Sequence, residues 1–247
     1  MSTSAERKTF YDHFSQDKPT KLGMWLVGAV SERIFQFAQI GTGHSVLEIG
    51  PGRGAFAGIC LEKGVEYWAV EPNEEMADHL RRRGVNVISS IVFSLPEIGR
   101  IFDVVVMNSV IEHMDTMMAA LELTKQVYGL LNPGGKFVMY APDYANWRHH
   151  FFVGDFSHSY ITSWRRLEEL LISGGFEDIQ GCYQSAAFRG VLCFLISGIA
   201  AWLPFAWLDV AFPRSRVARK LYKVQIAFLR RVLILGAKKG EAVEDRA

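Results

Sequence analysis

The sequence predicts an α/β fold, a doubly wound and mainly parallel sheet, on three observations. Short apolar runs alternate with helix-length segments from Val46 to Tyr140, the pattern of successive βα units. The run Phe102–Met107 is apolar almost without interruption, as in strands buried on both faces. The run Val46–Ile49 passes directly into Gly50-Pro51-Gly52-Arg53-Gly54 and then into a segment that can start a helix. Glycines let the backbone approach a ligand closely, and a helix start offers unpaired N–H groups. With 247 residues, 49% hydrophobic and 21% charged, the chain can bury a sizeable core.

In chain order, residues 1–20 read as a polar arm that gains order around Phe10, Tyr11 and Phe14. Between Lys21 and Gln39, Leu22, Trp25, Leu26, Ala29, Val30, Ile34 and Phe35 recur at roughly helical spacing, which predicts one or two amphipathic helices ended by Gly41-Thr42-Gly43. Strand Val46–Ile49 and its glycine turn lead to a helix through Lys63. Strand Tyr67–Val70 closes at Glu71-Pro72-Asn73 and is followed by a helix from Glu74 to Arg83. Val85–Ser89 is a third strand and Phe102–Met107 a fourth. A helix from Met117 to Leu131 stops at Asn132-Pro133-Gly134-Gly135, a strong breaker. Lys136–Tyr140 is a fifth strand. A long connection follows, from Ala141 to Ser163, rich in Asp, His, Asn and aromatics; connections of that length are functional or disordered. A helix from Trp164 to Ser173, a strand Phe176–Gln180 and a final strand Val232–Ala237 complete the pattern.

The segment before the final strand is different. Gly190 to Leu208 carries no charge and includes Trp202 and Trp207. Its length reaches that of a membrane span. A basic amphipathic helix follows, with Val217, Leu221, Val224 and Phe228 on one face and Arg216, Arg219, Lys220 and Lys223 mostly off it. Three readings compete: a true span, a buried core insertion, and a monotopic insertion into one leaflet. The last is favoured, because tryptophans suit the interface and an adjoining basic face suits anionic lipid. The sequence is thus divided into an arm with helices (1–40), a sheet domain (41–182), an apolar and basic helical insertion (183–231) and a last strand with tail (232–247).

Composition narrows the partners. Net charge is +1, so no global field attracts nucleic acid, and none is expected. The cations are uneven, however: no acid lies between Asp209 and Glu241, which suggests peripheral contact with an anionic membrane. Cys60, Cys182 and Cys193 are dispersed and predict neither a disulfide framework nor a cysteine zinc site. Met1 to Gln16 has no apolar core of a secretory signal, and a cytoplasmic location, with possible peripheral attachment to the inner membrane, is expected.

The chemistry is concentrated at the carboxyl ends of the strands. The pattern Gly50-x-Gly52-x-Gly54 follows Glu48, and its third glycine comes one place too early for a dinucleotide fingerprint. Glu71 ends the second strand, where a carboxylate can accept both hydroxyls of a ribose. Asn108-Ser109-Val110-Ile111-Glu112-His113 follows the fourth. With VLEIGPGRG, AVEPN, FDVVVMNSVIEHM and LLNPGGKFVMYAP in this order, the chain resembles the class I S-adenosylmethionine-dependent methyltransferases over residues 40–182.

The resemblance implies a seven-stranded Rossmann-like sheet whose last strand is antiparallel, and S-adenosylmethionine as cofactor. It implies that Glu48, Gly50, Pro51, Gly52 and Gly54 line the methionine and ribose end, and that Glu71 holds the ribose hydroxyls. Pro72 and Asn73 would flank the adenine edge, and Asn108 and Ser109 would face the cofactor. The family often has an acid after the third strand; here Ser90 and Ile91 stand in that region. Transfer to a hydroxyl calls for alignment and a base, and His113, His149, His150, Asp155 and His158 are the candidates, with His113, His158 and Asp155 preferred. Glu112-His113 resembles the end of the E-x-x-E-H run of ubiquinone-pathway O-methyltransferases, but Ser109 replaces its first Glu, so no metal is expected. Pro142-Asp143 through Asp155-Phe156-Ser157-His158, followed by Leu167–Leu171 and Gly175-Phe176, is similar to the acceptor loop of sugar-modifying methyltransferases. Asp155 and His158 could equally pair with each other to fix that loop. The expected reaction is O-methylation of a small or lipid-linked acceptor, a sugar hydroxyl. Alternatives are a phenolic quinone precursor or an inert membrane scaffold of the same fold.

Overall fold

The computed structural model describes residues 20–91 and 95–240. The arm with Phe10, Tyr11 and Phe14, and the tail after Gly240, lie outside the described residues.

Eight strands form one sheet in the order β3-β2-β1-β4-β5-β8-β6-β7. They are β1 (Ser45–Ile49), β2 (Glu66–Val70), β3 (Asn86–Ile88), β4 (Phe102–Asn108), β5 (Leu131–Pro142), β6 (Glu177–Ser185), β7 (Phe188–Arg189) and β8 (Arg231–Ala237). The strands β1 to β5 are parallel, and β8 runs antiparallel to both β5 and β6. The expected count of seven is corrected by β7, a two-residue strand that folds back on β6 through Ala186-Ala187. Ala186 takes φ +49° there, a conformation that no turn residue in the sequence announces. Chain order reverses between β1 and β4, so the crevice at their carboxyl ends is the switch point where such sheets bind ligands.

Helices cover both faces because β1 alternates its packing. Val46 joins Phe35, Phe56, Ala57 and Leu80 from α1 (Lys21–Phe37), α2 (Ala55–Glu62) and α3 (Glu74–Arg81). Leu47 and Ile49 join Leu123, Val127, Leu167 and Leu171 from α4 (Met117–Gly129) and α7 (Trp164–Ser173). Every residue of β1 is buried, as a strand sandwiched between helices must be. The expectation of one or two helices is met by one, α1, capped by Thr20 Oγ1 on Gly23 N at 3.1 Å. Asn132-Pro133-Gly134-Gly135 ends α4 but lies inside β5, whose pairing with β4 shifts register between Phe102 and Val104. A bulge absorbs the glycines without ending the strand.

The connection after β5 contains two short helices, α5 (Tyr144–Trp147) and α6 (His150–Val153). The insertion contains α8 (Gly190–Trp202), α9 (Phe205–Ala211) and α10 (Arg216–Phe228). These two regions hold each other. Asn146 Nδ2 donates to Ser197 O at 3.1 Å, and Trp147 Nε1 to Arg230 O at 2.8 Å. Trp147, Phe151, Ala200 and Leu229 form a third apolar cluster. Because α8 follows β6 and β7 and α10 leads into β8, the insertion leaves and re-enters at the carboxyl edge, the edge that carries the site.

Candidate active site

Each glycine of the turn after β1 serves a different purpose. Gly50, Gly52 and Gly54 all have positive φ, at +72°, +54° and +69°, where a side chain is strained. A Cβ on Gly50 would lie 2.6 Å from Val110 Cγ2, and one on Gly54 2.4 Å from Leu80 Cδ2. Those two glycines seat the turn against the segment after β4 and against α3. Among the described residues, a Cβ on Gly52 would meet nothing within 4 Å, so on this side the turn is open. Pro51 O accepts Gly54 N at 2.9 Å, which closes the turn. Arg83 Nη1 donates to Gly54 O at 3.0 Å and pins it from outside, a contact that nothing in the sequence marks.

Glu71, just past β2, is buried and joined to that turn. Its Oε2 accepts Gly52 N at 3.0 Å and its Oε1 accepts Asn73 N at 2.9 Å. Each oxygen retains a lone pair for a ribose hydroxyl. Burial raises the Glu71 pKa, and its two backbone hydrogen bonds oppose the rise. Asn73 is the N-cap of α3, with Oδ1 accepting Met76 N at 3.0 Å, so its side chain supports the helix start while Pro72 is half-buried between. Glu48 lies deeper: Tyr67 Oη donates to its Oε2, and burial raises its pKa to about 7. Its carboxyl thus sits in the core beneath the turn. Ser90 is half-buried and Ile91 exposed beyond β3; Val92 and Phe93, which follow them, lie outside the described residues.

At the end of β4, Asn108 is half-buried and Ser109 is exposed with φ +57°. Ser109 N donates to Tyr140 O at 2.8 Å, so the reversal is anchored on β5. A non-glycine residue held in this region marks a constrained site. One short helical turn later, Glu112 O accepts Ser159 N and Tyr160 N, both at 3.0 Å, which ties the loop after β5 to the strand end.

That tie brings His113, Asp155 and His158 together. The His113 Nδ1 atom lies 2.7 Å from Ser157 Oγ, and Ser157 Oγ donates to Asp155 Oδ1 at 2.5 Å. The His113 and His158 rings are 5.0 Å apart. His158 Nδ1 donates to Phe151 O at 2.7 Å, which leaves its basic nitrogen at Nε2. The Asp155 carboxylate is therefore partnered by Ser157, and the pairing with His158 expected as an alternative is not formed. Burial and the neighbouring His158 hold His113 well below the usual imidazole range, so it is neutral at pH 7. His149 and His150 are not part of this group: His149 is exposed, and His150 packs against Tyr222 with Nδ1 3.2 Å from its hydroxyl. Glu112 joins the group instead. Among the described residues its Oε2 is buried without a hydrogen-bond partner, and burial raises its pKa to about 8. Glu112, His113 and His158 each offer a ligand atom within 4.8 Å of the others. This cluster joins residues distant in the chain; the sequence singled out Glu112-His113 and His158 separately but not their meeting.

A cavity of about 540 Å³ lies on the flank of the turn, between Met24 and Val27 of α1 and Met76 and His79 of α3. It touches Gly52 but none of Glu71, Asn108 or His113, and so neighbours the cradle without being it.

Residues 26–180 match the family model described as "Methyltransferase domain". A ribosomal RNA small subunit methyltransferase A from Opitutus terrae is 42% identical over 53 residues, covering 22% of this chain and 19% of that protein. The chain thus aligns with about a fifth of this curated relative's length. Among solved structures, a SAM-dependent methyltransferase from Archaeoglobus fulgidus superposes with TM-score 0.60 at 21% identity, covering 87% of this chain and 94% of that one. A phosphoethanolamine N-methyltransferase 2 from Haemonchus contortus gives TM-score 0.62 at 16% identity, over 95% of this chain and 61% of that one. At such identities the likeness is one of fold. With the family match covering more than half of its length, and with a glycine turn, a ribose-competent carboxylate and a strand-end reversal meeting at the switch point, the chain belongs to the methyltransferase-domain family, and its cofactor is S-adenosylmethionine.

Proposed function

We propose that the protein transfers a methyl group to an oxygen of a small or lipid-linked acceptor, a saccharide hydroxyl. When bound, S-adenosylmethionine supplies an activated methyl on a sulfonium. The residues of this chain supply the cradle, the alignment and the proton acceptor. Glu71 and the Gly52 backbone receive the ribose, and Asn108 and Ser109 border the methyl end. The observation that carries the reading is the Asp155–Ser157–His113 chain beside the end of β4. Ser157 Oγ donates to Asp155 and can therefore accept the Nδ1–H of His113. This contact fixes the orientation of the His113 ring beside the strand end. Beside a bound cofactor, His113 would take the proton of the acceptor hydroxyl as that oxygen is methylated. Polar and aromatic groups of the loop, Tyr144 and Phe156 among them, suit a hydroxylated ring.

The test is formation of S-adenosylhomocysteine with a panel of saccharide, lipid-linked saccharide and phenolic acceptors. His113→Ala is expected to lower kcat by about 10²-fold, the low end of the general-base range because its lowered pKa makes it a weak base, while cofactor affinity holds. Unchanged turnover in His113→Ala would leave alignment alone as the source of the rate. The Glu112, His113 and His158 cluster favours a second reading, O-methylation of a phenolic quinone precursor with a divalent cation held by these three groups. That reading requires turnover to vanish with a chelator and to return with added Mg²⁺ or Zn²⁺.

A further inference from the structure

We propose that the outward face of α8 and α9, flanked by the cations of α10, docks on an anionic lipid bilayer, with the helices lying in its interface and not crossing it. The inference stands on the surface itself and does not depend on the acceptor.

The two sides of α8 differ sharply. Cys193, Ser197 and Ala200 are buried against the protein. At 100° per residue, Leu192, Leu195, Ile199 and Trp202 all fall on the opposite side, and all are more than half exposed. Trp202 and, on α9, Trp207 are each 76% exposed, and Val210 is 68% exposed. The fully buried residues of α8 are small, and most of its large apolar ones face solvent, the reverse of a core helix; Phe194, which packs on Tyr183, and the half-buried Ile196 are the exceptions. Apolar surface this extensive, rimmed by charge, marks a docking face.

Gly190–Ala211 is long and apolar enough to cross a membrane, yet only 22% buried. The fold opposes a crossing. The chain breaks at Leu203-Pro204, and the carbonyls freed there are captured by the protein: Gln225 Nε2 donates to Ala200 O at 2.8 Å and Leu203 O at 2.7 Å. The chain must then return through α10 to pair β8 with β5 and β6. Both ends of the hairpin therefore lie on one side.

Charge selects the occupant. Arg214, Arg216, Arg219 and Lys220 are exposed beside the apolar face, and no acid lies between Asp209 and Glu241. Exposed tryptophans with a basic flank suit the headgroup region of an anionic leaflet. A second copy of the chain suits it poorly, because a two-fold contact sets like charges against like. The face also adjoins the loop after β5, with the Arg148 guanidinium 5.0 Å from the Trp202 ring centre. Docking thus sets that loop at the lipid surface.

The test uses the full chain and vesicles of phosphatidylcholine with or without about 30% phosphatidylglycerol. Co-sedimentation is expected with the anionic vesicles only. Arg216→Glu/Lys220→Glu and Trp202→Ser/Trp207→Ser are each expected to weaken it about tenfold or more, with S-adenosylhomocysteine binding unchanged as the check on folding. Acyl-brominated lipid should quench tryptophan fluorescence in the wild type. Trp202→Phe/Trp207→Phe should still sediment but lose that quenching. Absence of sedimentation overturns the proposal. So does concentration-dependent self-association that Trp202→Ser abolishes, or a protein released from vesicles only by detergent, as a crossing helix would be.

Discussion

Replacing Glu112 with Gln tests the strain at the heart of the site. Glu112 is 1% exposed, its Oε2 has no hydrogen-bond partner among the described residues, and burial lifts its pKa from 4.5 to about 8. The Arg231 charge pulls the other way and Asp155 adds to the rise. Because the folded-state pKa is raised, the native chain holds a proton that the unfolded chain releases. Stability is then fully present below pH 4.5 and is lost as pH rises toward 8. Each pKa unit is worth about 1.4 kcal/mol, so the loss from this one group is about 3 kcal/mol between pH 4.5 and 7. A glutamine does not titrate and escapes it. Urea unfolding of wild type and Glu112→Gln at pH 5, 6.5 and 8 isolates the effect, since any pH-independent cost of the amide cancels. The variant should gain about 3–4 kcal/mol on the wild type across that range. Parallel curves would refute the reasoning and show that Glu112 is ionised in the folded protein.

Gly54→Ala forces a side chain into φ +69° and against Leu80 Cδ2 at 2.4 Å. Thermal unfolding should report a loss of about 2 kcal/mol, and S-adenosylhomocysteine titration a weaker site. Asp143→Ala strips the buried partner from Arg230, whose Nη2 lies 2.6 Å from Asp143 Oδ2; chemical unfolding should show a loss of about 3–5 kcal/mol. Adding Arg230→Met should recover much of that loss, because the uncompensated charge is gone.

The cradle was legible where backbone geometry dictates residue type. Gly50 and Gly54 must be glycine because a Cβ would collide with Val110 and Leu80, and such positions surface in sequence as a glycine pattern. The parallel strands were legible because burial on both faces removes polar residues from them. Side-chain partnerships across the fold were not. His113 meets Ser157 over 44 positions of chain and Arg83 meets Gly54 over 29, and no local pattern encodes either. Which face of α10 packs was not legible either. Of the apolar set, Leu221 and Phe228 are half-buried and Val217 and Val224 exposed, while Ala218, Tyr222 and Gln225 are buried. Gln225 faces inward because α8 ends in carbonyls that need a donor, and this turns Val217 and Val224 to the outside. The histidines of the loop divided similarly: His158 reaches the β4 end, whereas His150 is drawn away to Tyr222.

Calorimetric titration of S-adenosylhomocysteine into the wild type and Glu71→Ala addresses the central claim, that the turn after β1 and the carboxylate after β2 form the cofactor cradle. One site is expected in the wild type, weakened about 10- to 100-fold in the variant, the worth of charge-assisted hydrogen bonds to a ribose. A wild type that takes up no S-adenosylhomocysteine, or a variant that binds it equally well, would contradict the account.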